Sequence, residues 1–207
     1  MSLHVIFARH GETVWHAENR YAGSTDIALT QRGYAQAGAL ADWAEQADLT
    51  AIWASPLARS QETAHDSAVR TGLPVRVDPR LRELDFGIAE GLTRAEMQQR
   101  FPDQLAAFQT DPVTHHLPKG ENPLEAGDRY RAFLTDLQAD HSEGRVLVVG
   151  HTTAIRLVLC RMLGLPLREY RRIFPFLVNC ALNELVLRDG VPSLLTLNRP
   201  VTPGALK

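Results

Sequence analysis

The sequence predicts an α/β protein whose central sheet is mostly parallel. Two apolar runs carry that prediction. Arg145-Val146-Leu147-Val148-Val149-Gly150 has the continuous apolar interior of a strand buried on both faces. Leu3-His4-Val5-Ile6-Phe7-Ala8, rich in β-branched and aromatic residues, is a second such strand. Each run ends abruptly in chemistry, the first at His151 and the second at Arg9-His10. In open parallel sheets, groups just beyond the carboxyl ends of strands line the crevice where ligands bind.

The remaining elements follow in order. Residues 14–29 are polar and contain Asn19, Gly23, Ser24 and Asp26, so a loop is expected around the mouth of a site. Thr30 is a candidate N-cap for a helix whose stripe runs through Ala35, Leu40, Ala41, Trp43 and Ala44, to about Ala47. Ala51-Ile52-Trp53-Ala54 is a second strand, and Ser55-Pro56 is expected to open a helix with Arg59 on its first turn. Pro74-Val75-Arg76-Val77 is a third strand that runs into the charged segment 80–87, anchored by Leu81, Leu84 and Phe86. Thr93 and Glu96 form a capping box for a helix ending near Phe101-Pro102. Residues 103–123 are expected to be irregular or weakly helical, and about 85–123 to form a cap or flap. A helix over 124–140 is built on Tyr130, Phe133, Leu134 and Leu137. After His151 a helix over 154–163 is expected, with Thr152 and Thr153 available as caps. Two more strands lie around 182–187 and 193–197.

Composition bounds the function classes. At 207 residues one domain, 1–207, is the expectation. Net charge is -2, with 44% hydrophobic and 22% charged residues, so nothing draws the chain to nucleic acid in bulk and any anion site must be local. Cys160 and Cys180 sit in apolar surroundings and read as buried, reduced thiols. With no leader-like segment and no run approaching a membrane span, a cytoplasmic location without membrane contact is expected. The apolar stretch Ile173-Phe174-Pro175-Phe176-Leu177-Val178 suits either the core or a homo-oligomer interface.

Separate strand ends therefore bring Arg9, His10, Arg59 and His151 to one sheet edge. Guanidinium groups match phosphate oxygens in bidentate geometry, and neutral imidazole is a competent nucleophile near neutral pH. Neighbouring arginines disfavour protonation of His10 and keep its lone pair free. Gly11 is expected to allow close approach to the backbone. Blander readings exist for each: a surface charge for Arg9, a helix-end charge for Arg59, a core histidine for His151.

These motifs together resemble the histidine phosphatase superfamily, which holds cofactor-dependent phosphoglycerate mutases and many phosphomonoesterases. The resemblance covers nearly the whole chain. Its carriers are Arg9-His10-Gly11-Glu12-Thr13 with Trp15, Asn19-Arg20 and Gly23; Ser55-Pro56-Leu57-Ala58-Arg59-Ser60 with Glu62-Thr63-Ala64; Leu81-Arg82-Glu83-Leu84 with Phe86-Gly87 and Glu90-Gly91; and the strand into His151. It implies a phosphoglycerate mutase-like, three-layer α/β/α sandwich with a small flap over the C-terminal strand edge. It also implies His10 as a nucleophile that becomes phosphohistidine, and Glu83 as the proton donor to the leaving oxygen. Arg9, Arg59 and His151 would hold the phosphoryl oxygens, while His16, Gly23 and Thr152 would help bind substrate. No metal or cofactor is implied. His10 should carry its proton on the nitrogen that faces a backbone carbonyl.

For Glu83 the bland alternative is an ion pair with Arg80 or Arg82. Glu12 reads as a structural partner of the arginines, His115, His116 and Lys119 as flap residues within reach of substrate, and His4 and His65 as uninvolved. The chain departs from the resembled pattern at two places. His16 stands where asparagine is usual, and Thr152-Thr153 where glycines are frequent. The expected activity is hydrolysis of a small phosphorylated metabolite. A phosphoglycerate mutase is the alternative, although the region between the acid segment and the second histidine is short and offers few basic residues beyond Arg94, Arg100, His115, His116 and Lys119. A non-catalytic phosphate-binding domain would lack one of the chemical groups, and all are present.

Overall fold

A computed structural model describes residues 2–201. Its six strands are β1 (Leu3–Arg9), β2 (Ala51–Ala54), β3 (Val75–Val77), β4 (Gly144–Gly150), β5 (Leu182–Arg188) and β6 (Val191–Arg199). They form one sheet in the order β3-β2-β4-β1-β5-β6. The first four strands of that order are mutually parallel, and β5 and β6 add antiparallel partners at one side.

Helices cover both faces because the central strands are apolar on both. On one face Ile6, Ala8, Ile52, Ala54, Leu147 and Val149 pack with Leu40 of α1 (Gln31–Ala44) and Ala64 of α2 (Ala58–Thr71). On the other, Val5, Phe7, Val146 and Val148 pack under α5 (Pro123–Asp140) and α6 (Thr152–Leu163) through Tyr130, Phe133, Leu134, Ile155 and Leu159. Alternate residues of one strand thus serve two cores, which the period of two in a strand requires. The result is the three-layer α/β/α sandwich expected. Among the described residues no helix is long and apolar enough to cross a membrane.

Register then places the chemistry. Arg9 of β1 pairs with Gly150 of β4, so the next residues, His10 and His151, leave the sheet side by side. Ala54 pairs with Val149, which brings Ser55 to the same edge.

Three local expectations are corrected. After the expected helix, α3 (Arg94–Arg100), the segment expected to be irregular or weakly helical opens with a regular helix, α4 (Pro102–Thr110), where Pro102 fills the first turn and Leu105 and Phe108 are buried. The helix after β2 begins at Ala58 rather than at Pro56, and Asp26 from the preceding loop accepts the Ala58 N–H at 2.7 Å. Ser55 Oγ accepts the Leu57 N–H at 3.2 Å and turns to the site instead. The third concerns α6, which begins at Thr152 with neither threonine as its cap; Glu83 supplies that role. The Thr30 cap, the Thr93–Glu96 capping box and the long helix behind Asn122 form as their sequences dictate. A short helix α7 (Tyr170–Ile173) precedes the late apolar stretch, in which Phe174 and Leu177 are buried and Phe176 is exposed.

Candidate active site

His10 stands at the centre, almost wholly buried. Its backbone N–H donates to Gly150 at 2.9 Å, and its carbonyl accepts from the Asn179 side chain at 2.7 Å. The ring is fixed as well: Nδ1 lies 2.7 Å from the Gly11 carbonyl, which accepts only, so Nδ1 carries the proton and Nε2 keeps its lone pair. Burial, and then Arg59 and Arg9, push the His10 pKa well below its usual value. The His151 ring lies 5.2 Å from the His10 ring, centre to centre. Its Nε2 is 2.7 Å from Ser55 Oγ, its Nδ1 is buried without a partner, and burial followed by Arg59 holds its pKa low too.

Arg59 lies beneath the histidines, fully enclosed. It donates to the Thr25 carbonyl at 2.7 Å and the Gly23 carbonyl at 2.9 Å, leaving Nε unpartnered. Arg9 donates to the Leu177 carbonyl at 2.9 Å, and its Nε is likewise buried and unpartnered. Three such orphans around one imidazole, counted among the described residues, are unusual, since buried nitrogen atoms are nearly always paired. Burial lowers the pKa of both arginines, that of Arg9 to about 10.

Glu83 is buried beside them. Its Oε1 accepts N–H groups from Leu84 at 2.8 Å and Ala154 at 2.9 Å, and its Oε2 accepts from Thr153 at 3.0 Å. The ion-pair alternative fails, because Arg80 binds Asp78 and Asp136 while Arg82 binds Glu121. The α6 N-terminus therefore orients the carboxylate and is capped by it.

His16 explains how it stands in for asparagine. The Thr13 N–H and Oγ1 face its Nδ1 at 3.0 Å and 2.9 Å, and Nη2 of Arg9, a donor only, faces its Nε2 at 2.5 Å. A neutral imidazole, like an amide, carries one donor and one acceptor. Burial and then Arg9 lower its pKa to about 4, so the ring is neutral.

A cleft of about 250 Å³ opens here, lined by Arg9, His10, Thr13, His16, Glu83 and Thr152, with Tyr21, Phe86, Arg156 and Arg171 further out. Several expectations do not hold at this cleft. Arg59 and His151 lie fully buried behind its lining, and Gly23 is outside the lining too; the Gly23 N–H is taken by Glu90 and its carbonyl by Arg59, which makes it a brace for Arg59. Gly11 serves the α1 packing, since a Cβ there would meet the Gly33 carbonyl at 2.6 Å. Glu12 pairs with Arg32 and Thr30 rather than with the arginines of the site. His115, His116 and Lys119 do not line the cleft. His4, expected to be uninvolved, pairs with Glu184 and does not line the cleft.

Sequence reasoning missed Arg129 and the outer arginines. Arg129 donates to the carbonyls of Arg80, Arg82 and Glu83 and is paired with Glu121, so it braces the segment that carries Glu83. Arg156 had a signal in the sequence: it is the single charge in the apolar stretch 154–160.

Fold and site together define an α/β protein with histidines, arginines and a buried carboxylate gathered at its parallel sheet edge. The chain belongs to the histidine phosphatase superfamily (branch 1), whose family pattern matches residues 5–200. It is similar to the probable phosphoglycerate mutase GpmB of Enterobacter sp. (strain 638), 34% identical over 188 residues that cover 91% of this chain and 86% of that protein. Phosphoserine phosphatase 1 of Hydrogenobacter thermophilus is 31% identical over 166 residues, covering 80% of this chain and 79% of that protein. The solved structure of a mycobacterial glucosyl-3-phosphoglycerate phosphatase matches with a TM-score of 0.88 at 27% identity, over 96% of this chain and 100% of that one.

Proposed function

We propose that this protein is a phosphomonoester hydrolase that acts on a small phosphorylated metabolite through a phosphohistidine at His10. The observation that carries the proposal is the ring geometry: Nδ1 is committed to the Gly11 carbonyl, so Nε2 is a neutral nucleophile among guanidiniums. Nε2 attacks phosphorus and the ester P–O bond breaks, with its electron pair leaving on the alcohol oxygen. Glu83, in its acid form, gives that oxygen a proton from Oε2, which accepts one N–H where Oε1 accepts two. Water then attacks the phosphorus, Glu83 takes its proton, and the P–N bond returns its electrons to His10. Charge in such transition states sits on the equatorial oxygens, for which Arg9, Arg59, His16, His151 and the Thr152 N–H are the donors. None of these steps is assigned to a metal or cofactor.

Two phosphatases among the similar proteins support hydrolysis. The resemblance to probable phosphoglycerate mutases supports a second reading, in which the phosphohistidine is passed back to substrate. Incubation with 3-phosphoglycerate, with and without 2,3-bisphosphoglycerate, separates the two. Free phosphate should exceed 2-phosphoglycerate, and isomerisation outpacing phosphate release would defeat hydrolysis. A cytoplasmic location belongs to the proposal; it rests on Cys160 and Cys180, buried free thiols whose pKa values burial raises to about 11 and about 12.

A further inference from the structure

His10 and His151 stand side by side with their ring centres 5.2 Å apart, and both are held neutral. What each can do then depends on which ring nitrogen keeps the proton. For His10 the Gly11 carbonyl decides it. For His151 the deciding group is Ser55, whose backbone is pinned at the end of β2. The Ser55 N–H donates to the Val149 carbonyl at 3.2 Å and to Ser60 Oγ at 3.1 Å, and the Ser60 hydroxyl donates to that same carbonyl at 2.6 Å. Both serines are fully buried.

Among the described residues two groups lie within hydrogen-bonding distance of Ser55 Oγ: the Leu57 N–H at 3.2 Å and His151 Nε2 at 2.7 Å. The first can only donate. The single Ser55 hydroxyl proton therefore has one acceptor, the lone pair of Nε2, and a neutral ring with its lone pair there carries its proton on Nδ1. The opposite tautomer would bury a hydroxyl proton with no acceptor, which is the more costly arrangement. Nδ1 is itself buried and, among the described residues, has no partner. The two histidines thus share one tautomer and put it to opposite uses. His10 has its proton engaged and keeps a free lone pair, whereas His151 has its lone pair engaged and keeps a free proton.

Resting on the hydrolase reading, we propose that Ser55 is a positioning residue whose hydroxyl holds His151 as the Nδ1–H tautomer, so that Nδ1 donates to a phosphoryl oxygen during transfer to and from His10. Ser55 does not touch the reacting atoms and acts through the imidazole. Without its hydroxyl, nothing opposes a proton on Nε2, and a lone pair on Nδ1 would then face the negative phosphoryl oxygen. The donor is fixed before substrate arrives, which is how a preorganised site stabilises developing charge without reorganising.

The test begins on the full, unmutated chain labelled with nitrogen-15 histidine. Long-range proton–nitrogen correlation spectra at neutral pH, with the His151 signals identified by their loss in His151→Ala, should show the proton on Nδ1. A proton on Nε2 overturns the proposal, and this arm needs neither turnover nor a Ser55 variant that folds. Ser55→Ala, with folding checked by urea unfolding, should move the His151 signals towards the Nε2–H form. It should also lower kcat/KM for p-nitrophenyl phosphate by about tenfold to a hundredfold, the range of a hydrogen bond to a charged group. In the His151→Ala background the same substitution should cost less than about twofold more, because its effect runs through the ring that is gone. A folded Ser55→Ala protein with unchanged His151 signals overturns the proposal, as does the full loss repeated without His151. The hydrolase reading fails separately, through phosphatase activity that persists without His10.

Discussion

The base of the cleft and its rim are built on different terms. At the base, strand register sets His10 beside His151, and carbonyls, hydroxyls and helix N–H groups fix His10, Arg59 and Glu83 in one geometry each. At the rim, Arg156 and Arg171 are held by aromatic faces and by contacts with α6 and α7 that no strand pairing dictates. The base can therefore stay constant while the rim changes. On the proposed reading, chemistry is tied to the sheet, and the rim belongs to elements that can vary without disturbing it.

Substitutions at the base should cost most. His10→Ala removes the nucleophile and should lower phosphatase kcat on the order of 10^4-fold or more, measured as phosphate release with purified protein. Glu83→Gln should lower kcat by about 10^2- to 10^4-fold with an alkyl phosphate. The loss should be smaller with p-nitrophenyl phosphate, whose leaving group needs no proton, and a burst of p-nitrophenol should precede slow turnover. An equal loss for both substrates would remove Glu83 as the acid.

Behind the base, Arg129→Met removes the donor to three carbonyls and leaves Glu121 with Arg82 as its remaining partner. Losing these buried hydrogen bonds should cost about 1 to 3 kcal/mol, readable in urea unfolding. As a positioning residue it should also lower kcat more than it raises KM, since it bears on Glu83 and not on bound substrate. A variant that loses stability with kcat intact would reduce Arg129 to a structural tie.

Acid tests the base in another way. His10, His16 and His151 are held neutral in the fold, so below about pH 6.5 the unfolded chain binds more protons than the native one. Stability should be fully present above that value and lost as pH falls toward the native pKa values, about 4 for His16. Melting temperature followed from pH 8 to pH 4 checks this; a flat profile would contradict it. Activity should show no acid limb near 6.5 from His10.

The smallest effect is expected at His16. His16→Asn keeps one acceptor and one donor, so kcat/KM should stay within about threefold, whereas His16→Ala should lose about tenfold. Similar losses for both would show that the imidazole does something an amide does not.

The same contrast explains what could be read from sequence. Apolar runs that end in Arg9-His10 and His151 announce buried strands and a strand-edge site, because burial and pairing leave few other uses for them. The helix at 102–110 was legible only as a weakly helical stretch, because Pro102, the following Pro112 and polar residues hide a short apolar pair, Leu105 and Phe108. Thr152 and Thr153 suggested caps from local chemistry, yet a carboxylate from a distant segment outcompetes them, and no local pattern encodes that. Gly23 was linked to substrate and instead braces Arg59, a role visible only once Glu90 is folded against it. Arg171 is silent for the same reason: its neighbours Tyr21 and Phe108 lie far away in the chain.

Whether His10 forms the covalent intermediate can be asked of the protein itself. The protein, and its Glu83→Gln variant in which the second step should be slow, would be mixed with radiolabelled phosphomonoester, quenched in alkali and digested. Acid-labile, alkali-stable label should appear on the peptide containing His10 and rise in the Glu83→Gln variant. Label on a peptide carrying His16 or His151 instead, or turnover with no labelled peptide at all, would contradict the phosphohistidine route.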